Sequence, residues 1–161
     1  MAEAPVINTS PLIHLSRAGY LSLLQVMGAR LVVPLPVAEE IRAKGEADVT
    51  TRAIAEIAWL EVLPAPAPPQ EIAVWDLGAG ESSVLAWAWS HPGSVAILDD
   101  LQGRRCASAL QIPYIGTLGM VLLSKQRRVI PAARPVIEGL VAHGMYLSGQ
   151  VVECALALVG E

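Results

Sequence analysis

Residues 76–100, DLGAGESSVLAWAWSHPGSVAILDD, hold a helix and a strand with an acid at each end. A glycine-rich turn at Gly78 and Gly80 leads to Glu81, followed by Val84, Leu85, Ala88 and Trp89 at i+3, i+4, i+7 and i+8. That spacing is one face of a helix. At about 100° per residue, Glu81 falls on the apolar stripe, between Val84 and Leu85, where a solvent-seeking glutamate would not be placed. His91-Pro92-Gly93 breaks the helix. The apolar run 94–98 then predicts a buried strand that stops abruptly at Asp99-Asp100. Acids therefore stand at both ends of one helix-strand unit, and parallel sheets commonly host chemistry at the carboxyl ends of their strands.

The same alternation repeats on both sides of this stretch. Val6-Ile7 is a short apolar run ending at Asn8-Thr9-Ser10, and Pro11, Leu12, Ile13 and Leu15 continue as a helix, with Thr9 or Ser10 suited to its cap. Tyr20, Leu23, Leu24 and Met27 predict a second helix after Gly19. Leu31-Val32-Val33 reads as a strand, and Pro34 and Pro36 lead into a helix on which Glu40 borders the stripe of Val37 and Ile41 while Glu39 faces water. A helix at 48–58 gives way to a strand at 59–63, and the proline-rich connector 64–70 is too short for a domain boundary. Beyond Asp100 come a helix carrying Arg104 and Arg105, an edge strand around Pro113, a helix from Gly116-Thr117 to Leu123, and two helices within 135–161. Strands alternating with helices predict an α/β fold, one domain over residues 1–161: a three-layer α/β/α sandwich with a central parallel sheet of four or five strands.

Composition agrees. A chain of 161 residues buries about 70% of its unfolded surface as one domain. An apolar fraction of 53% and a mean hydropathy of +0.49 suit a sheet covered on both faces. The uncharged runs 82–98 and 106–124 approach membrane-spanning length, but Pro92-Gly93 interrupts the first and Pro113, Gly116 and Gly119 the second, so no membrane span is expected. The start MAEAPVINTS has no basic n-region and no apolar h-region, which points to the cytoplasm. Cys106 and Cys154 match no metal or redox spacing and read as small buried residues. The net charge of −4 provides no global attraction to nucleic acid, and the clusters Arg42/Lys44, Arg104/Arg105 and Lys125/Arg127/Arg128 read as solvated faces or last-turn cations. In a chain without phenylalanine, Trp59, Trp75, Trp87 and Trp89 are expected as bulky core fillers.

Asn8, Glu40, Glu81, Asp99 and Asp100 all fall at strand ends or on packed helix stripes, and all offer oxygen. Gathered carboxylates repel one another unless a hard cation such as Mg²⁺ or Mn²⁺ relieves them, and such a centre can hydrolyse phosphodiesters. A purely structural assignment competes: Glu81 paired with an arginine, Asp99 and Asp100 capping the next helix, Glu40 merely half-buried. Spacing alone does not choose between them.

The phrases VINTSPLI, VPLPVAEEI, LGAGESSVLAWA, AILDDLQGRRCA and IGTLGMVLLSK stand in order across nearly the whole chain. Together they resemble the PIN-domain family, in particular a VapC-like subgroup with an NTSPLI opening and a GTLG turn. The resemblance implies an α/β/α nuclease with three or four acids around Mg²⁺ or Mn²⁺, an RNA substrate, and the toxin role of a toxin-antitoxin pair. It makes Glu40, Glu81 and Asp99 the catalytic metal-binding acids and Asp100 a second or substitute ligand. Asn8 stands where most of the family has its first aspartate; its amide brings oxygen without charge, a departure that lowers metal affinity and activity. Thr9 or Ser10 matches a supporting hydroxyl, while Arg104 and Thr117 match subgroup positions without an assigned role. An antitoxin segment inserting an arginine among the carboxylates is the implied inhibitor. Apolar tail helices favour a homodimer.

Other classes compete with this one. DLGAG resembles the glycine-rich loop of an S-adenosylmethionine or nucleotide site if residues 72–75 form a strand, although Glu81 or Ser82 occupies the third glycine position. A catalytically weakened interaction module fits Asn8 and the acidic charge. A serine or cysteine hydrolase lacks a nucleophile elbow near His14, His91 or His143.

Overall fold

The computed structural model describes residues 2–161. Among them, β1 (Val6–Ile7), β2 (Leu31–Pro34), β3 (Leu60–Leu63), β4 (Ala96–Ile97) and β5 (Tyr114–Ile115) form one sheet, ordered β3-β2-β1-β4-β5. Every pairing is parallel, with Val6 opposite both Val32 and Ala96, and Ile7 opposite Ile97. Each strand falls where the sequence predicts one, and β3 alone carries a charge, Glu61, paired with Arg30 at 2.7 Å. Residues of β1, β2 and β4 are buried on both faces, as a helix-covered parallel sheet requires. Helices flank the sheet, giving the expected α/β/α sandwich, and buried side chains from Val6 to Leu156 form one contiguous core.

The helices are α1 (Thr9–Ala18), α2 (Leu35–Arg42), α3 (Val49–Glu56), α4 (Gln70–Ala73), α5 (Ala79–Ser90), α6 (Leu101–Ala109), α7 (Thr117–Gln126), α8 (Arg134–Ala142) and α9 (Gly149–Leu158). Helix α5 packs on β1, β2 and β4 and against α2 and α6. Its predicted stripe, Val84, Leu85 and Ala88, is buried, and so are Gly80, Ser82, Ser83 and Ala86. These small residues let the neighbours approach closely from several sides. The two serine hydroxyls are satisfied locally, donating to the Leu77 and Gly80 carbonyls at 3.4 and 2.7 Å.

Several expectations change. The stretch after Gly19 is a 3-10 helix (Leu21–Val26), because only a few residues separate the left-handed Gly19 from β2 and the tighter winding suits such a short link. Residues 72–75 form no strand: Gln70–Ala73 is α4, so DLGAG lacks the preceding strand that a nucleotide loop needs. No tryptophan fills the core, which is built of Leu, Ile, Val, Ala and Met; Trp59, Trp75 and Trp87 line its border and Trp89 is 42% exposed. Cys106 is buried, which pushes its thiol pKa up, whereas Cys154 is exposed. No helix among the described residues is long and apolar enough to cross a membrane.

Candidate metal centre

β1 and β4 are neighbours whose connections depart in opposite directions, from β1 towards β2 and from β4 towards β5. Such a switch point opens a crevice at the carboxyl ends of the two strands. Asn8 directly follows β1, and Asp99 stands just beyond β4. The Asn8 amide N–H donates to the Ile97 carbonyl at 2.9 Å, which ties the two strand ends together.

Asn8, not Thr9 or Ser10, is the N-cap of α1, and it is 2% exposed. An N-cap asparagine ordinarily accepts from the N–H of the second or third helical residue. Here the third is Pro11, which has no N–H, and the Asn8 side chain makes no capping bond. Its Oδ1 is buried without a donor among the described residues. Leaving a buried acceptor unsatisfied costs about 1–3 kcal/mol, so the atom calls for a cation or an ordered water.

Glu40 reaches the same place from α2. Its Oε1 accepts from the Gly80 amide at 3.1 Å and its Oε2 from the Thr9 hydroxyl at 2.7 Å. The N-cap of α5 is Gly78, which has no side chain, so a distant carboxylate satisfies one of that helix's free amides. A Cβ on Gly80 would lie 2.7 Å from Glu40 Oε1 and 3.1 Å from Asn8 Oδ1. The two oxygens thus converge on the space that glycine leaves.

Glu81 is the next residue, half-buried in the first turn of α5. Its Oε2 folds back to 2.6 Å from the point where a Gly78 Cβ would stand, and it has no hydrogen-bond or ion-pair partner among the described residues. Asp99 is held more firmly. Its Oδ1 accepts from the Thr117 amide at 2.8 Å and its Oδ2 from the Thr117 hydroxyl at 2.7 Å, with Arg104 Nη2 3.5 Å from Oδ1. Gly116, the N-cap of α7, again leaves its helix to be capped from afar. A carboxylate has about four lone-pair positions, so these three donors leave one on Asp99 open. Asp100 is exposed and caps its own helix, its Oδ2 accepting from the Gly103 amide at 2.7 Å.

The chain therefore brings Asn8 and Glu40 together, puts Glu81 immediately after Gly80, and holds Asp99 at the end of the neighbouring strand with Arg104 and Thr117. Asp100 is directed to the α6 amides. Among the described residues, no three His, Cys, Asp or Glu side chains form a ready ion-binding group. Mg²⁺ is commonly bound through one or two carboxylates with several waters retained. The unsatisfied Asn8 oxygen beside Glu40, an all-oxygen donor set, fits that habit. Sequence reasoning gave Gly80 only a place in the turn, Thr9 a cap or a supporting hydroxyl, and Arg104 and Thr117 matching positions. The glycine caps Gly78 and Gly116 were the available signal, since a helix start without a side-chain acceptor needs one from elsewhere.

No curated protein matches the chain. The profile of a family described as a PIN domain matches residues 4–161. The fold, the crevice and this match agree: the chain belongs to the PIN-domain family, whose members are generally nucleases that use divalent metal ions.

Proposed function

We propose that this protein is a Mg²⁺- or Mn²⁺-dependent endoribonuclease, the toxin component of a toxin-antitoxin pair, with residues 1–161 as one PIN domain. The observation that carries the reading is the buried, donor-free Oδ1 of Asn8 beside the Glu40 carboxylate at the switch point. Asn8 and Glu40 would hold the ion, Asp99 would approach it from the next strand through its open lone pair, and Asp100 is a reserve ligand. A divalent ion bound there supplies Lewis acidity towards the phosphate and lowers the pKa of water. Glu81, with no protein partner to compete for its oxygens, is placed to accept the proton of the attacking water. Thr9 and Thr117 fix the rotamers of Glu40 and Asp99 through their hydroxyls. In the resting complex an antitoxin arginine would occupy the carboxylates. Val141 of α8, 43% exposed, and Val152 of α9 line one apolar face of the tail, which favours a homodimer through that face.

The second reading is a non-catalytic interaction module in the same fold. It draws on Asn8 in an acid's place and on the lack of a ready three-acid group. Cleavage of single-stranded RNA with Mn²⁺ decides between them. The nuclease reading expects chelator-sensitive cleavage that drops by at least about a hundredfold in Glu81→Gln, the range for loss of a general base. A folded protein that neither binds Mn²⁺ nor cuts RNA would establish the module instead.

A further inference from the structure

Arg104 is the one feature beside the acids that hydrolysis as described does not use. It lies in the first turns of α6, where its Nε donates to the Leu98 carbonyl at 3.2 Å and its Nη2 stands 3.5 Å from Asp99 Oδ1. The Asp99 contact is at the long limit of a hydrogen bond, and Asp99 already takes two shorter bonds from Thr117. Nη1 has no partner among the described residues. The guanidinium rests against Gly116, where any side chain would strike it. Its own side chain is 36% exposed.

This guanidinium lines a cleft of about 760 Å³ that starts at Asp99 and runs between α7 and α9. Arg104 is the only Lys or Arg among the residues lining it, so the cleft presents one fixed cation at the end nearest the acids. A planar fork with one bond to a carbonyl, one loose contact to a carboxylate and one free edge has donors left for a phosphate.

We propose that Arg104 binds a phosphate of the single-stranded RNA substrate, directing the strand from the acidic crevice into this cleft; the inference rests on the ribonuclease reading above. Arg104 thereby holds substrate and does not serve chiefly as a brace for Asp99. The Nε bond to Leu98 fixes the fork, and the exposed edge meets the anion.

The test measures binding of single-stranded RNA to the full chain in Ca²⁺, over a series of salt concentrations, beside cleavage in Mn²⁺. The proposal expects Arg104→Gln to weaken RNA binding about tenfold and to reduce the salt slope by about 0.7, the value for one phosphate contact on a single strand. Arg104→Lys, which keeps the charge and loses the fork, should recover the slope and only part of the affinity. The KM for RNA should rise more than kcat falls. Unchanged RNA affinity and slope in a folded Arg104→Gln protein, with kcat and Mn²⁺ affinity reduced, would overturn the proposal and leave Arg104 a positioning residue for Asp99. If the unaltered protein cleaves no RNA in Mn²⁺, the ribonuclease reading itself has failed, a result distinct from either outcome in the variant.

Discussion

A side chain at Gly80 would collide with Glu40 Oε1 and crowd Asn8 Oδ1, so the glycine hydrogen is what allows the two oxygens to meet. Glu40 is a flexible partner and would be pushed aside. Alanine is also the better helix former, by about 1 kcal/mol in a helix interior. The loss of the Glu40 cap from the α5 amide offsets that gain, so Gly80→Ala is expected to change the thermal midpoint little while weakening Mn²⁺ binding about tenfold or more, checked by calorimetry and thermal melts on one preparation. Asn8→Asp should strengthen that binding. Without metal, a second carboxylate beside Glu40 adds like-charge repulsion and lowers the midpoint; with Mn²⁺ the charge strengthens binding and the loss is recovered. Equal midpoints with and without Mn²⁺ in Asn8→Asp would contradict a cation at this place. The position of Asn8 was legible in the sequence because strand, polar residue and helix follow one another. Its unpartnered oxygen was missed, although Pro11 at the third helical position removes one of the two amides that could have satisfied it.

At the scale of elements, several helices in this chain are capped by residues far away in sequence. Glu40 serves α5, Asp99 serves α7, and Glu161 serves α8 by accepting from the Ala133 and Arg134 amides at 2.6 and 3.2 Å. The Ala133 amide is the main cause that holds the Glu161 carboxyl below its ordinary value, with the Arg134 amide and Lys125 adding to it. A carboxyl whose folded pKa is depressed stabilises the fold above its unfolded pKa, and that contribution fades as pH falls through the folded value. Glu161→Gln is thus expected to lower the thermal midpoint at neutral pH, with the gap to the unaltered protein closing as pH drops below about 4.5, the ordinary carboxyl value. A gap independent of pH would exclude this cap as an ionised one. Most helices were legible from periodicity. The distant caps were not, because a missing acceptor at Gly78 or Gly116 shows in sequence while the residue that supplies it depends on tertiary packing.

For the whole molecule, alternating apolar runs and helical stripes were enough to read the parallel α/β/α fold, since buried parallel strands are short, apolar and separated by helices. Strand order could not be read from those runs. The order β3-β2-β1-β4-β5 is what puts Asn8 and Asp99 on neighbouring strand ends and makes a crevice between them. The tryptophans went to the border of the core for a related reason: the helices and sheet pack closely through Ala, Gly and Ser on α5, which leaves little room for indoles inside. The central claim is that groups from α1, α2 and the β4 end share one cation. An anomalous map from crystals soaked in Mn²⁺ measures this most directly. A single peak is expected in the crevice, with Asn8 Oδ1 and a Glu40 carboxylate oxygen at about 2.0–2.6 Å and with Glu81 and Asp99 in reach of its waters. A crevice without Mn²⁺ at concentrations that support RNA cleavage, or an ion bound elsewhere, would contradict it.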